Sequence, residues 1–228
     1  MTIARATDAL ALPRAVLFDL DGTLADTAPD LGHAANLVCA ELGLPTLPLA
    51  DYRPVASAGA RGLLGKALGI TPEHADYAQR AERLLALYRD NLLRHTTLFD
   101  GMDELLATIA ARGLSWGIVT NKPAWLTDPL VEGLRLRADC VVSADQVARP
   151  KPAPDALLRA CERLGLPPQA CWYVGDDRRD IAAAQAADMP SIAADWGYLG
   201  ADAPIGDWGA QRIAGTPRDI AAWLRAAA

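Results

Sequence analysis

The sequence predicts an α/β fold, a doubly wound parallel sheet with a small α-helical domain inserted after the first strand. Three observations carry that reading. Short, unbroken apolar runs recur along the chain, helical patterns alternate with them, and one long early interval holds helical patterns alone. The first run, residues 15–18, is apolar throughout and stops at Asp19. A strand covered on both faces reads as such a run, whereas a half-exposed strand alternates. Similar runs stand at 114–120, 140–143, 171–175 and 191–194. Between them the spacing of apolar residues predicts helices over 103–112, 125–134, 155–164 and 180–187, and a final one over 217–226. Alternation of this kind implies right-handed crossovers and a Rossmann-like sheet with helices on both faces.

The exception to the rhythm runs from about residue 28 to residue 96. Its helical stretches are 31–42, 62–68 and 77–93, the last with Tyr77, Ala81, Leu84, Leu85 and Tyr88 on one stripe. Pro45, Pro48, Pro54 and Pro72 punctuate the remainder. The expected organisation is therefore an α/β core of residues 1–27 and 97–228, and a helical cap of residues 28–96. An insertion there sits above the carboxyl ends of the strands, where open α/β sheets bind ligands.

Composition narrows the class. Of 228 residues 51% are hydrophobic and 22% charged, ordinary for a folded domain. The net charge is −6 and no basic stripe interrupts it, which disfavours a nucleic-acid partner. No apolar run approaches the ~18 residues of a membrane span, and residues 1–13 carry Asp8 and lack the apolar segment of a leader. Cys39, Cys140, Cys161 and Cys171 form no C-x-x-C pair and read as small buried hydrophobes in a reducing compartment. The expectation is a cytoplasmic protein, monomer or homodimer, acting on a small molecule.

Four segments carry chemistry. Strand one runs into Asp19-Leu20-Asp21-Gly22-Thr23, two carboxylates at an apolar strand end. Such a pair is costly unless a cation answers it. Gly22 permits a tight turn that leaves both acids in the crevice. Val119-Thr120-Asn121 ends another run with a hydroxyl and an amide, and Lys151 stands among Pro150, Pro152 and Pro154 on a stiff loop. Last, Gly175-Asp176-Asp177 leads to Asp180 at a helix start, more acids than one helix cap needs. Each segment alone reads as a turn, a cap or a surface lysine. If the strand ends converge, the acids crowd one crevice with Lys151, and an anionic substrate could enter only beside a divalent cation. All-oxygen ligation suits Mg²⁺, and the set as a whole suits phosphoryl transfer. Arg61, after the small residues Ser57-Ala58-Gly59-Ala60, is expected to reach down to an anionic part of the substrate.

In order, D-x-D-G-T, V-T-N, K-P and G-D-x-x-x-D resemble the phosphatase pattern of the haloacid dehalogenase superfamily, over residue 15 to about residue 208. The resemblance implies that Asp19 is the nucleophile and Asp21 the general acid/base, with Thr120 and Lys151 on the phosphoryl oxygens. It places Mg²⁺ on Asp19, the backbone carbonyl of Asp21, and Asp176, with Asp180 behind them. Asp177 stands where Ser or Thr is frequent and receives no role. Residues 119–123 look like the phosphoglycolate phosphatase branch. Residues 57–61, with Gly59 and Arg61, look like its specificity loop, which with Asn121 would meet the substrate. Trp116-Gly117-Ile118, Gly175-Asp176-Asp177, Trp196-Gly197-Tyr198 and Trp208-Gly209-Ala210 also resemble phosphatases of N-acetylmuramic acid 6-phosphate. The expectation is a Mg²⁺-dependent phosphatase of the 2-phosphoglycolate type working through an aspartyl phosphate, the muramic acid ester being the alternative. Asp21 speaks against a dehalogenase. A phosphonatase would need a cap lysine such as Lys66, a phosphosugar mutase shares the motifs, and a receiver domain would lack the insertion.

Overall fold

The computed structural model describes residues 10–200 and 203–226, so the leader reading of residues 1–9 lies outside the described residues. Strand β1 (Ala15–Phe18) is buried along its whole length. It is hydrogen-bonded in parallel to β4 (Ser115–Val119) on one side and β6 (Cys171–Gly175) on the other. With β5 (Cys140–Val142), β7 (Ser191–Ala194) and β8 (Arg212–Ala214) these form a six-stranded parallel sheet, ordered β5-β4-β1-β6-β7-β8. The doubly wound class therefore holds. The order reverses between β1 and β6, where such sheets open a crevice at their carboxyl ends.

Side chains alternate across β1 and so divide the core in two. Val16 and Phe18 face Met102, Leu105, Leu130 and Leu224 of helices α4 (Met102–Ala111), α5 (Ala124–Gly133) and α8 (Pro217–Ala226). Ala15 and Leu17 face Leu157 and Ala183 of α6 (Asp155–Leu164) and α7 (Arg178–Ala186). A continuous apolar strand is what this double burial requires. Strand β8 escaped the sequence reading because it is a three-residue edge strand whose Ile213 stays 43% exposed. All four cysteines are free and buried. Among the described residues no helix is long and apolar enough to cross a membrane.

Over the carboxyl edge lies a helical layer of α1 (Ala28–Glu41), a 3-10 segment (Leu49–Ala58), α2 (Gly59–Leu68) and α3 (Tyr77–Asp90). Leu31, Val38, Tyr52, Leu64, Leu84 and Tyr88 give it a separate core, joined from the sheet side by Leu126 and Tyr198. The 3-10 segment carries Pro54 and no helical stripe, so the sequence showed only a punctuated loop there. The chain enters and leaves the layer through a two-stranded antiparallel ribbon, β2 (Ala25–Asp26) with β3 (Thr97–Leu98), too short to show a pattern.

Asp30 ties the two passages together. It is fully buried and accepts from His95 N at 2.9 Å, Thr96 N at 3.0 Å and Thr96 Oγ1 at 2.7 Å. Asp30→Ala would leave the Thr96 N–H and hydroxyl buried without an acceptor. We expect a loss of about 2–4 kcal/mol, since each unsatisfied buried donor costs about 1–3 kcal/mol and relaxation recovers part. Calorimetry should show a clear fall in unfolding midpoint; an unchanged midpoint would mean that water replaces the carboxylate without loss.

Candidate active site

Because β1, β4 and β6 are parallel neighbours, the residues that follow them emerge on one edge. Asp19, Thr120 and Asp176 are those residues. Asp19, Asp21, Thr120, Asn121, Lys151 and Asp180 floor a crevice of about 410 Å³, roofed by leucines of the helical layer and by Tyr88.

Lys151 lines this crevice, its side chain 2% exposed. Nζ lies 2.8 Å from Asp19 Oδ1 and 2.6 Å from Asp180 Oδ1. It also donates to the Tyr173 hydroxyl at 2.8 Å and the Val119 carbonyl at 3.1 Å. Burial alone would lower its pKa, but the Asp180 and Asp19 charges outweigh that and keep the ammonium charged. Asn121 holds the lysine loop in place. Its Nδ2 donates to Lys151 O and its Oδ1 accepts from Lys151 N, each at 2.9 Å. Asn121, expected at the substrate, lines the crevice and also braces the Lys151 loop. Thr120 is buried, and its Oγ1 accepts from Lys122 N at 3.1 Å.

Asp19, Asp176 and Asp180 each bring a carboxylate oxygen within 4.8 Å of the others. Burial, reinforced by the neighbouring acids and only partly offset by Lys151, pushes Asp19 up to about 7. Burial, then the Asp19 and Asp180 charges, raises Asp176 well above the carboxylate range although Thr23 Oγ1 donates to it at 2.7 Å and Tyr198 N at 2.9 Å. Three acids against one buried ammonium leave negative charge unanswered, and the donors are all hard oxygens. The residues fit a small divalent cation. The backbone packs closely round Asp176: a Cβ on Gly22, at φ +85°, would clash with Asp176 Oδ2, and one on Gly197 would clash with Asp176 Cβ. Asp180, placed behind the metal by the sequence reading, lies within the acid cluster, yet its oxygens also hold Lys151 and Asp177 N.

The side chain of Asp21 stands apart from that cluster. It accepts from Thr27 Oγ1 and from Lys122 Nζ, each at 2.5 Å. Lys122 is buried between Asp21 and Tyr88 of the helical layer, 4.8 Å from the ring centre. The sequence reading passed over Lys122 although it adjoins Thr120-Asn121, because nothing local says that it faces an acid 101 residues away.

Gly59 lines the crevice, at φ +58°. Arg61 does not. One turn into α2, it is exposed and borders a second, outer groove with Arg178 and Arg179, so the expectation that it reaches into the crevice is corrected. The arginine that lines the crevice is Arg179, beside Asp177, whose carboxylate caps α7 by accepting from Arg179 N at 2.8 Å. Lys66 is also outside, 3.7 Å from Asp51, and lines neither opening, which removes the lysine that phosphonatase chemistry would use.

Acids and a buried lysine at the switch point of a doubly wound sheet, under a helical roof, suit phosphoryl transfer, and with the relatives below they make the chain a phosphoric monoester hydrolase. The chain belongs to the haloacid dehalogenase-like hydrolase family, which matches residues 16–194. It is 44% identical over 220 residues to a phosphoglycolate phosphatase of Xanthomonas campestris pv. campestris, covering 92% of this chain and 97% of that one. It is 38% identical over 209 residues to an N-acetylmuramic acid 6-phosphate phosphatase of Pseudomonas putida, covering 91% and 94%. A solved predicted phosphoglycolate phosphatase of Haemophilus somnus shares the fold with a TM-score of 0.78, at 24% identity over 95% of this chain and 98% of that one.

Proposed function

We propose that the protein hydrolyses a small, carboxylate-bearing phosphate monoester, 2-phosphoglycolate first, through a phosphoryl group carried on Asp19. The observation that supports this most is Asp19 itself. Leu20 N and Lys151 both engage its Oδ1, at 2.7 and 2.8 Å, which leaves Oδ2 to attack phosphorus. Lys151 and the Thr120 hydroxyl hold the phosphoryl oxygens as the bond to the leaving oxygen breaks. Asp21, oriented by Thr27 and Lys122, protonates the departing alkoxide. It then takes a proton from the water that cleaves the aspartyl phosphate. Mg²⁺, held by Asp19 and Asp176 with the Asp21 carbonyl, would neutralise the acids and the phosphate and polarise the phosphoryl group.

One observation favours the second substrate. About 410 Å³ walled by Leu31, Leu63, Leu84 and Leu126 is space on the scale of drug-sized ligands, roughly 300–1,000 Å³, and more than a two-carbon acid fills. N-acetylmuramic acid 6-phosphate would occupy it. Phosphate release from 2-phosphoglycolate, N-acetylmuramic acid 6-phosphate and common sugar phosphates separates the two. We expect kcat/KM for 2-phosphoglycolate to exceed that for the sugar phosphates at least about tenfold, or about 1.4 kcal/mol. A tenfold preference for the muramic acid ester would select the second substrate, and equal rates across the panel would overturn both.

A further inference from the structure

Three cations line the crevice among the described residues, Lys122, Lys151 and Arg179. Lys151 is held by Asp19 and Asp180 beside the reacting atoms, and Lys122 is held by Asp21 and Tyr88. Arg179 differs from both. Its side chain is 36% exposed, and it lines the crevice and the outer groove alike. Its Nε donates to Asp177 Oδ1 at 2.8 Å. Its Nη2 donates to Asp177 Oδ2 at 2.8 Å and across to the Ser57 carbonyl of the helical layer at 2.7 Å. The remaining nitrogen, Nη1, makes no hydrogen bond among the described residues.

We propose that Arg179 is the specificity residue that receives the carboxylate of the substrate at the mouth of the crevice. The proposal deepens the functional reading above and rests on it. Asp177 engages one edge of the guanidinium in a bidentate pair and so sets the plane of the fork. The Nη1 side stays available to a second anion. Neighbouring charge favours that anion, because Arg61 and Arg178 border the adjoining groove against the single acid Asp177. The link to Ser57 means that the same guanidinium touches both layers, so an anion bound there is held where the helical roof meets the sheet. Because the contact is to a part of the substrate that does not react, it strengthens binding equally in the ground and transition states and shows in KM more than in kcat.

The test compares kcat/KM for 2-phosphoglycolate with that for 2-phosphoglycolamide, its neutral isostere, and for N-acetylmuramic acid 6-phosphate with that for N-acetylglucosamine 6-phosphate, which lacks the lactyl carboxylate. Arg179→Ala should lower the acid-to-neutral ratio of the better pair at least about tenfold, mostly through KM, as expected for loss of a charged hydrogen bond. Arg178→Ala, which removes the same charge from the outer groove alone and takes away only its longer-range attraction, should lower the ratio far less. A wild-type ratio in Arg179→Ala, or an equal fall in Arg178→Ala, overturns the assignment. A uniform loss on all four esters would also overturn it and make Arg179 a tie between the layers. Arg179→Gln, which keeps a donor toward Ser57 without the charge, carries the same comparison should the alanine variant unfold. If the wild-type protein hydrolyses the acids and their neutral partners equally well, the carboxylate-bearing substrate class itself fails, a result distinct from failure of Arg179.

Discussion

Asp19→Asn is expected to lower kcat by at least about 10⁴-fold, since an amide cannot serve as the nucleophile and no neighbouring group can replace it. The substitution is close to isosteric. Asparagine Oδ1 can still accept from Leu20 N and Lys151, so the local geometry should survive. Stability should change little, because the variant removes one of three crowded acids answered by a single buried ammonium. Single-turnover phosphate release, read beside a thermal unfolding curve, checks both statements. A variant that keeps more than about 1% of wild-type turnover while folded would move the nucleophile elsewhere.

Chelation should be nearly as damaging. Metal removal is expected to cost about 10³-fold or more in turnover, since several kcal/mol of charge stabilisation at the phosphoryl group go with it. The cause lies in the acid cluster. Burial raises both Asp19 and Asp176, so without a cation the crevice tends to hold protons on the groups that must be ionised. Added Mg²⁺ should restore turnover and also raise the unfolding midpoint with concentration, as any ligand of the folded state does. Ca²⁺ should bind and restore little, because its larger, looser coordination can engage both oxygens of Asp19. Full activity in metal-free buffer, or a midpoint indifferent to Mg²⁺, would remove the metal from the mechanism. Asp176→Asn should weaken the Mg²⁺ response of the midpoint, a readout independent of catalysis.

The fold class is legible along the chain, because strands buried on both faces must be apolar along their whole length. The run Ala15–Phe18 could be read as a central strand before its neighbours were known. The sequence also marked where polar groups end such strands, at Asp19, Thr120 and Asp176, since a polar group at a buried strand end is costly and stands out. The short pieces were silent. The ribbon Ala25–Asp26 with Thr97–Leu98 and the edge strand Arg212–Ala214 are too brief to show a period. Which charge answers which is visible only in the folded chain. Lys122 meets Asp21 across 101 positions, Lys151 meets Asp180 across 29, and Arg179 reaches Ser57 across 122. Arg61 followed small residues in the manner of a ligand-binding loop, yet it faces outward, while Arg179, which no sequence pattern singled out, lines the crevice. Burial pattern is written along the chain because the period of an element fixes which of its residues face the core. Charge pairing is not, because it depends on segments distant in sequence arriving within about 3 Å of each other.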